Sequence, residues 1–502
     1  MPSRSPLELT PETHEQLTQT ILALVNAHLA QVSLAPSGGM AESDAYTRAQ
    51  ALDAPITECG IDGGLDRISE ILREGVAASL PTSGAGYLAY VPGGGLVTAA
   101  MADLFSGVVN RFTGLASAAP LFCRLEADVL RWLAQEFGYD HHARGLLTSG
   151  GSLANFAAVV TARRAKMSDD DDLRRARFYV SSQVHHSVAR CVGLAGFPAS
   201  SVREVAVDSE MRLSPEALAD RIAEDVDAGH RPMMVIASAG TTNTGAVDPF
   251  HALRAVCDRF DCWLHVDGAY GGAFVLASRG ASILDGIETA DSIVFDPHKG
   301  MFLPYGTGCV LVKDGQRLRA AHREDAEYLE DFRVEDDACI PSPTEYGPEL
   351  SRDFRGLRLW LPLMLHGAAP FREALDEKLA LASHLWEALK ALSAAGVELE
   401  VLSRPQLSTV CFRLPLAPGE TLAENDARTL SLLEQINGRQ EVFLSSTRLP
   451  DEGRSRVTIR ACILSFRTHQ REVDALVRIL TELLPPSSTQ THAGSSGPLP
   501  SR

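Results

Sequence analysis

The 502-residue chain contains no run of about 18 consecutive apolar residues, so the usual sequence signal of a membrane-crossing helix is missing. Its first residues, MPSRSPLELTPETHEQL, lack the basic-then-apolar order of a secretory signal, and a cytoplasmic location is expected. Positive charge is in short supply. The 46 Lys and Arg stand against 64 Asp and Glu, giving a formal net charge of -18, which argues against nucleic acid or an anionic membrane as partner. The nine cysteines (Cys59, Cys123, Cys191, Cys257, Cys262, Cys309, Cys339, Cys411 and Cys462) are odd in number and form no CxxC. Neither a disulfide framework nor a metal site is therefore expected, and the thiols are read as reduced and mostly buried. No internal repeat is visible.

What is present is a composition of 45% hydrophobic and 22% charged residues, that of a soluble globular protein large enough to bury an extensive core. Chemistry concentrates in residues 291–312, DSIVFDPHKGMFLPYGTGCVLV. An apolar strand (Ile293, Val294, Phe295) breaks at Pro297, a His-Lys pair and a glycine-punctuated turn follow, and a second strand runs from Cys309 to Val312. Lys299 thus sits between two buried segments. Burial disfavours a charged ammonium unless it is paired, and a neutral amine is a nucleophile toward carbonyls, so Schiff-base chemistry is expected at Lys299.

Upstream, CWLHVDGAYGG (262–272) reads as a strand ending in Asp267, followed by Gly268, Ala269 and a Gly-Gly pair. An aspartate at the carboxyl end of a strand in an α/β sheet lies where ligands bind. A carboxylate there can keep a pyridine nitrogen protonated, which is what makes pyridoxal phosphate an electron sink, and the small Ala269 leaves room for a flat ring.

The pair VDGAYGG and DPHKGMFLPYGTG resembles the cofactor core of the pyridoxal-phosphate-dependent group II decarboxylases, the family of aromatic-L-amino-acid, glutamate, histidine and cysteine-sulfinate decarboxylases. The likeness runs from about Gly86 to Thr468. It implies an α/β fold of type I among pyridoxal-phosphate-dependent transferases: a large domain with a mostly parallel central sheet plus a small C-terminal α/β domain. Strands near 178, 233, 263, 292 and 309 with helices between several of them fit that sheet.

Along the chain, residues 1–80 form an N-terminal helical segment, with amphipathic stretches at 6–34 and 65–77. The resemblance implies that it packs against a partner subunit, and a cap on its own subunit is the alternative. Residues 81–365 are expected to form the cofactor-binding domain, 366–484 the small domain and 485–502 a disordered tail. The glycine-rich stretch 84–96, GAGYLAYVPGGGL, implies a loop in which backbone approaches a ligand. By resemblance Tyr90, Val91 and Pro92 line the substrate pocket, with Val91 where relatives that bind aromatic substrates carry a bulky ring. Ser149, Gly150, Gly151 and Ser152, ahead of an Ala-rich helix, present free backbone N–H groups and hydroxyls to a phosphate. Thr242, beside Thr241 after a buried strand, is a further cofactor contact. The resemblance maps a histidine stacked on the cofactor ring onto His185, with His186 a solvent-facing or helix-cap neighbour, and brings His298 into the cofactor set.

In the resembling enzymes a loop carries a tyrosine that returns a proton to the substrate carbon. Counted back without gaps from SRDFRGLRLW (351–360), that position falls on Pro343, and Tyr346 is the nearest tyrosine. Either a gap restores Tyr346 to the role, or the proton comes from His185 or water. The expected activity is decarboxylation of an L-amino acid to amine and carbon dioxide through a Lys299 Schiff base. The alternatives are oxidative deamination to an aldehyde, and an aminotransferase in which Arg460 holds the carboxylate. The resemblance further implies a homodimer with shared active sites.

Overall fold

The computed structural model describes residues 5, 7–323, 340–451 and 453–485. Seven strands form the large sheet: Arg144–Thr148 (β1), Ala176–Ser181 (β2), Val202–Val205 (β3), Arg231–Ser238 (β4), Trp263–Asp267 (β5), Ser292–Phe295 (β6) and Gly308–Val312 (β7). Their spatial order is β1-β7-β6-β5-β4-β2-β3. From β3 to β6 every neighbour pair is parallel, whereas β7 runs antiparallel to both β6 and β1. Two reversals leave β1 pointing the same way as β6. Six strand ends therefore meet one edge of the sheet, at Thr148, Ser181, Val205, Ser238, Asp267 and Phe295, and the segments that carry the candidate residues leave from five of them, all but Val205.

The central strands are buried over their whole length, as a sheet covered by helices on both faces requires. Helices Pro120–Glu136 and Phe250–Phe260 lead into β1 and β5. Two strands, β1 and β3, and the helix Glu42–Ala51 were not anticipated from the pattern. The first runs straight into the glycine-rich turn, and the second, Val-Arg-Glu-Val, is half polar.

A second sheet, Glu400–Val401 (β8), Thr409–Arg413 (β9), Ser445–Asp451 (β10) and Arg454–Cys462 (β11), is antiparallel in the order β10-β11-β9-β8. Helices Ala369–Ala394, Leu422–Gly438 and Gln470–Leu483 supply residues to its separate apolar core. The stretch 84–96 is bound to this sheet: Leu88 N–H donates to the Phe443 carbonyl, Cys462 N–H to Leu88, and Phe443 N–H to Gly86. Leu88 itself is fully buried in the small core.

The helices Pro11–Gln31 and Glu42–Ala51 bury no residue, and Gly64–Ala77 buries Ser69. Among the described residues no helix is long and apolar enough to cross a membrane, and no cluster of His, Cys, Asp and Glu could hold a metal. Of the eight described cysteines, all free, seven are buried. Residues 324–339, Cys339 among them, lie outside the described residues, as does the tail from 486 onward.

Candidate active site

The site is built at the shared strand edge. After β1 the chain turns at Ser149 and Gly150 and enters the helix Gly151–Lys166, whose N-terminus has no side-chain cap. Its first backbone N–H groups are left for a ligand, as an anion site needs. Close packing enforces the glycines. A Cβ on Gly308 would lie 2.4 Å from the Gly150 carbonyl carbon, and one on Gly151 would lie 3.0 Å from Asp296 Oδ2 and 3.2 Å from Ala269 Cβ. Gly151, Ala269 and Asp296 thus converge on one point. Cys191 Sγ donates to the Ser152 carbonyl at 3.1 Å and ties the helix Ser187–Leu194 to this turn.

Asp267 is fixed by a chain of hydrogen bonds whose directions are forced by its two ends. The Trp263 indole can only donate, and does so to Ser292 Oγ at 2.8 Å. At the other end Asp267 can only accept, which makes His265 Nε2 the donor of its ring, so in a neutral imidazole Nδ1 accepts the Ser292 hydroxyl hydrogen, also at 2.8 Å. His265 Nε2–H then donates to Asn155 Oδ1 at 2.8 Å, and Asn155 Nδ2–H donates to Asp267 Oδ2 at 3.0 Å. The other carboxylate oxygen accepts the Ala269 N–H at 3.0 Å. The chain needs a neutral His265 protonated on Nε2. Complete burial supplies that by holding its pKa below the ordinary histidine value, against the pull of Asp267.

Lys299, expected in a turn, stands on a single helical turn, Pro297–Gly300. Its Nζ lies 2.9 Å from Asp296 Oδ2, an i,i+3 pair with the carboxylate that ends the strand. His298 donates Nδ1–H to the Thr307 carbonyl at 2.6 Å and turns Nε2 toward Asp296, 3.7 Å away. Burial lowers the pKa of His298, with Asp296 opposing the shift. His185 follows β2, and its Nδ1 accepts from Ser187 Oγ at 2.7 Å and from the Ser187 N–H at 3.3 Å, leaving the proton on Nε2. Burial and then His186 keep His185 below the ordinary histidine pKa, while Asp267 works the other way. His186 is exposed at the N-cap of the next helix.

Thr241 is consumed by its own turn, paired with Thr244 Oγ1 at 2.9 Å and accepting the Ala246 N–H, whereas Thr242 beside it is half-buried. Tyr90 adopts a left-handed φ of 51° and is 62% exposed, Val91 is half-buried and Pro92 buried. Arg460 is buried, with Nη1 donating to the Tyr90 carbonyl at 2.8 Å and Nε to Asn243 at 3.4 Å, so it braces the loop against the Thr242 turn.

Tyr346 is not brought to Lys299. It is 3% exposed, packed in the apolar cluster of Leu146, and with Pro343 lines a cavity beside Arg144 and Gly145, where β1 begins rather than where it ends. Motif reading also passed over Asp296, Asn155 and Ser292. The first was legible as the carboxylate three residues before the lysine. The other two are distant in sequence and meet Asp267 only through the fold.

A helix N-terminus open to a phosphate, a buried carboxylate for a ring nitrogen and a lysine at the same edge fit pyridoxal phosphate, and together with the sheet they define a fold type I enzyme of that cofactor. The chain belongs to the pyridoxal-dependent decarboxylases: residues 58–415 match the family described as the pyridoxal-dependent decarboxylase conserved domain. It is 34% identical over 473 residues to an aromatic-L-amino-acid decarboxylase of Bacillus atrophaeus, covering 93% of this chain and 94% of that protein. It is 27% identical over 410 residues to a phenylacetaldehyde synthase of Arabidopsis thaliana, covering 79% and 81%. The crystal structure of Oryza sativa TDC with PLP and tryptamine superposes with a TM-score of 0.85 at 24% identity, covering 96% of this chain and all of that one. The protein is a pyridoxal-phosphate-dependent amino acid decarboxylase.

Proposed function

We propose that the substrate is an aromatic L-amino acid, released as its amine by a homodimer with shared active sites. The observation that carries the substrate class is a ring-bearing wall beside the lysine. The Gly93-Gly94 pair presses on the segment that follows Lys299: a Cβ on Gly93 would lie 2.8 Å from the Tyr305 ring, and one on Gly94 2.3 Å from Phe302 Cβ. Tyr305 in turn packs on His298, with ring centroids 5.5 Å apart. Tyr90 and the half-buried Val91 lie on the same loop, Val91 giving the wall an aliphatic member. The aromatic-L-amino-acid decarboxylase of Bacillus atrophaeus supports the same reading.

In this reading Lys299 would be the residue that holds the cofactor covalently. When bound, the cofactor supplies an acceptor for the electron pair left by departing carbon dioxide. Asp267 would keep the ring nitrogen protonated, and Asn155 Nδ2–H and Ala269 N–H hold Asp267 in place. The N–H groups at Gly150–Ser152 with the hydroxyls of Ser149 and Ser152 would hold the phosphate, and Thr242 and Ala269 would be the residues toward the ring. His185 would be the imidazole nearest the ring, and the apolar wall would exclude water around the carboxylate that must leave. Since Tyr346 is packed elsewhere, the returning proton is assigned to His185, whose Nδ1 is occupied by Ser187 and whose Nε2 carries the hydrogen.

The test is incubation of the purified protein with pyridoxal phosphate and single L-amino acids, following carbon dioxide, amine, aldehyde and oxygen uptake. Phenylalanine, tyrosine, tryptophan or their hydroxylated forms should give amine and carbon dioxide without oxygen uptake. Turnover of glutamate or 2,4-diaminobutyrate instead would sink the substrate assignment. His185→Gln should divert product toward aldehyde with oxygen uptake while Tyr346→Phe leaves the amine yield unchanged, and the reverse pattern would return the role to Tyr346.

A further inference from the structure

We propose that Asp296 is a further catalytic residue, the group that takes the proton Lys299 must lose before its amine can attack a carbonyl and hands it to the departing oxygen. Three observations place it there. Asp296 Oδ2 is within hydrogen-bond distance of Lys299 Nζ, at 2.9 Å. Its other oxygen, Oδ1, is buried with no hydrogen-bond partner among the described residues, although the residue is only 3% exposed. The carboxylate also sits at the start of the helix Gly151–Lys166, where a Cβ on Gly151 would touch both of its oxygens, at 3.0 and 3.2 Å.

A buried carboxylate oxygen without a donor is costly and calls for a function. His298 cannot replace it, since its Nδ1–H is committed to Thr307 and its Nε2 faces Asp296 at 3.7 Å, beyond a hydrogen bond. The neighbours from other elements, Gly151 and Ala269, carry no charge, and His185 and Asp267 are the next ionisable groups of the site.

The step balances without an outside reagent. The Lys299 ammonium gives one proton to Asp296, the freed nitrogen pair forms the C–N bond, and the carbonyl oxygen takes that proton as its π pair moves onto it. A second N–H proton follows the same route to the new hydroxyl, which leaves as water while the nitrogen pair closes C=N. Three N–H protons become two in water and one on the linked nitrogen. Asp296 ends ionised as it began, ready to run the steps in reverse when the amino acid displaces the lysine.

The proposal rests on Lys299 being the residue that joins the cofactor, and the experiment separates the two claims. Apo-protein is mixed with pyridoxal phosphate; total bound cofactor is read by equilibrium dialysis, and the covalent link by timed borohydride reduction with mass spectrometry of the Lys299 peptide. Asp296→Asn keeps an acceptor beside the lysine but cannot carry the proton. It should bind cofactor within about threefold of wild type and form the link about 100-fold more slowly, the scale of general acid–base catalysis. Asp296→Glu should recover at least tenfold of that loss. Asp296→Ala should be accelerated by added formate in proportion to its concentration. Linkage at the wild-type rate in Asp296→Asn, or no acceleration of Asp296→Ala by formate, overturns the proposal. A wild-type chain that carries no adduct on Lys299 overturns the lysine assignment itself.

Discussion

Asn155 uses both ends of its amide: Oδ1 accepts from His265 and Nδ2 donates to Asp267. Only an amide in this orientation joins a donor to a carboxylate, so the residue sets both the tautomer of one neighbour and the position of the other. Asn155→Ala leaves the buried His265 Nε2–H without an acceptor and Asp267 without one of its two donors. It should lower stability by about 1–3 kcal/mol, the scale for an orphaned buried polar group. Cofactor should dissociate about tenfold more readily. Asn155→Asp should be worse than alanine at pH 8, because it sets a second carboxylate against Asp267, and should recover toward the alanine level as the pH falls and one of the pair gains a proton. Equilibrium dialysis of cofactor and thermal unfolding at two pH values would check the order. Equal behaviour of the two variants at pH 8 would mean that Asp267 does not depend on this amide.

The loop 84–96 has almost no regular structure, yet the small sheet holds it along its length. Arg467 Nη1 donates to Ser83 at 3.2 Å and to Gly94 at 2.6 Å, so one guanidinium closes both ends of the loop. Thr468 Oγ1 donates to Ala85 at 2.5 Å, and Ser445 Oγ accepts the Tyr90 N–H at 3.0 Å. Arg467→Met keeps the stem that packs on Phe466 and removes the clasp, and should raise KM for the aromatic substrate about tenfold with kcat changed less than threefold, since a charge-assisted hydrogen bond is worth about 1.5–3 kcal/mol. An equal fall in kcat and kcat/KM would instead place the effect on the chemical step. This element also shows how far the sequence could be read. Lys299, Asp267, Ala269 and the Gly150-Gly151 turn were legible because local chemistry at a strand end dictates their residue types. The clasp was not, because Arg467 and Gly94 are hundreds of residues apart and no local pattern links them. The Ser292–His265–Asn155 chain escaped for the same reason. Tyr346 went astray because the count fell on Pro343 and the nearest tyrosine was taken in its place, in an irregular stretch with no period to show which way a side chain faces.

At the scale of the molecule the feature that demands a partner is apolar surface on one set of helices. Leu104 and Phe105 are more than half exposed on the helix Val97–Val109, Val108 on the same helix is 79% exposed, and Phe112 follows at 40%. The helices Pro11–Gln31 and Gly64–Ala77 add Ile21, Leu22, Ile68, Leu72 and Val76. Monomers seldom leave so many large apolar side chains in water, and a homodimer that covers them would bury the standard interface of about 1,600 Å² or more. The same pairing would account for N-terminal helices that bury almost nothing within their own chain. Val108→Asp would put an unpaired charge into such an interface and should weaken self-association at least about 100-fold, the consequence of burying a carboxylate without a partner. Sedimentation over a concentration series would read that shift, and activity should fall in parallel with the dimer fraction if each site is completed by the neighbouring chain. Full activity in a monomeric Val108→Asp protein would show that each chain builds its site alone. A wild-type protein that sediments as a monomer at every concentration would show that these helices cover something other than a second copy.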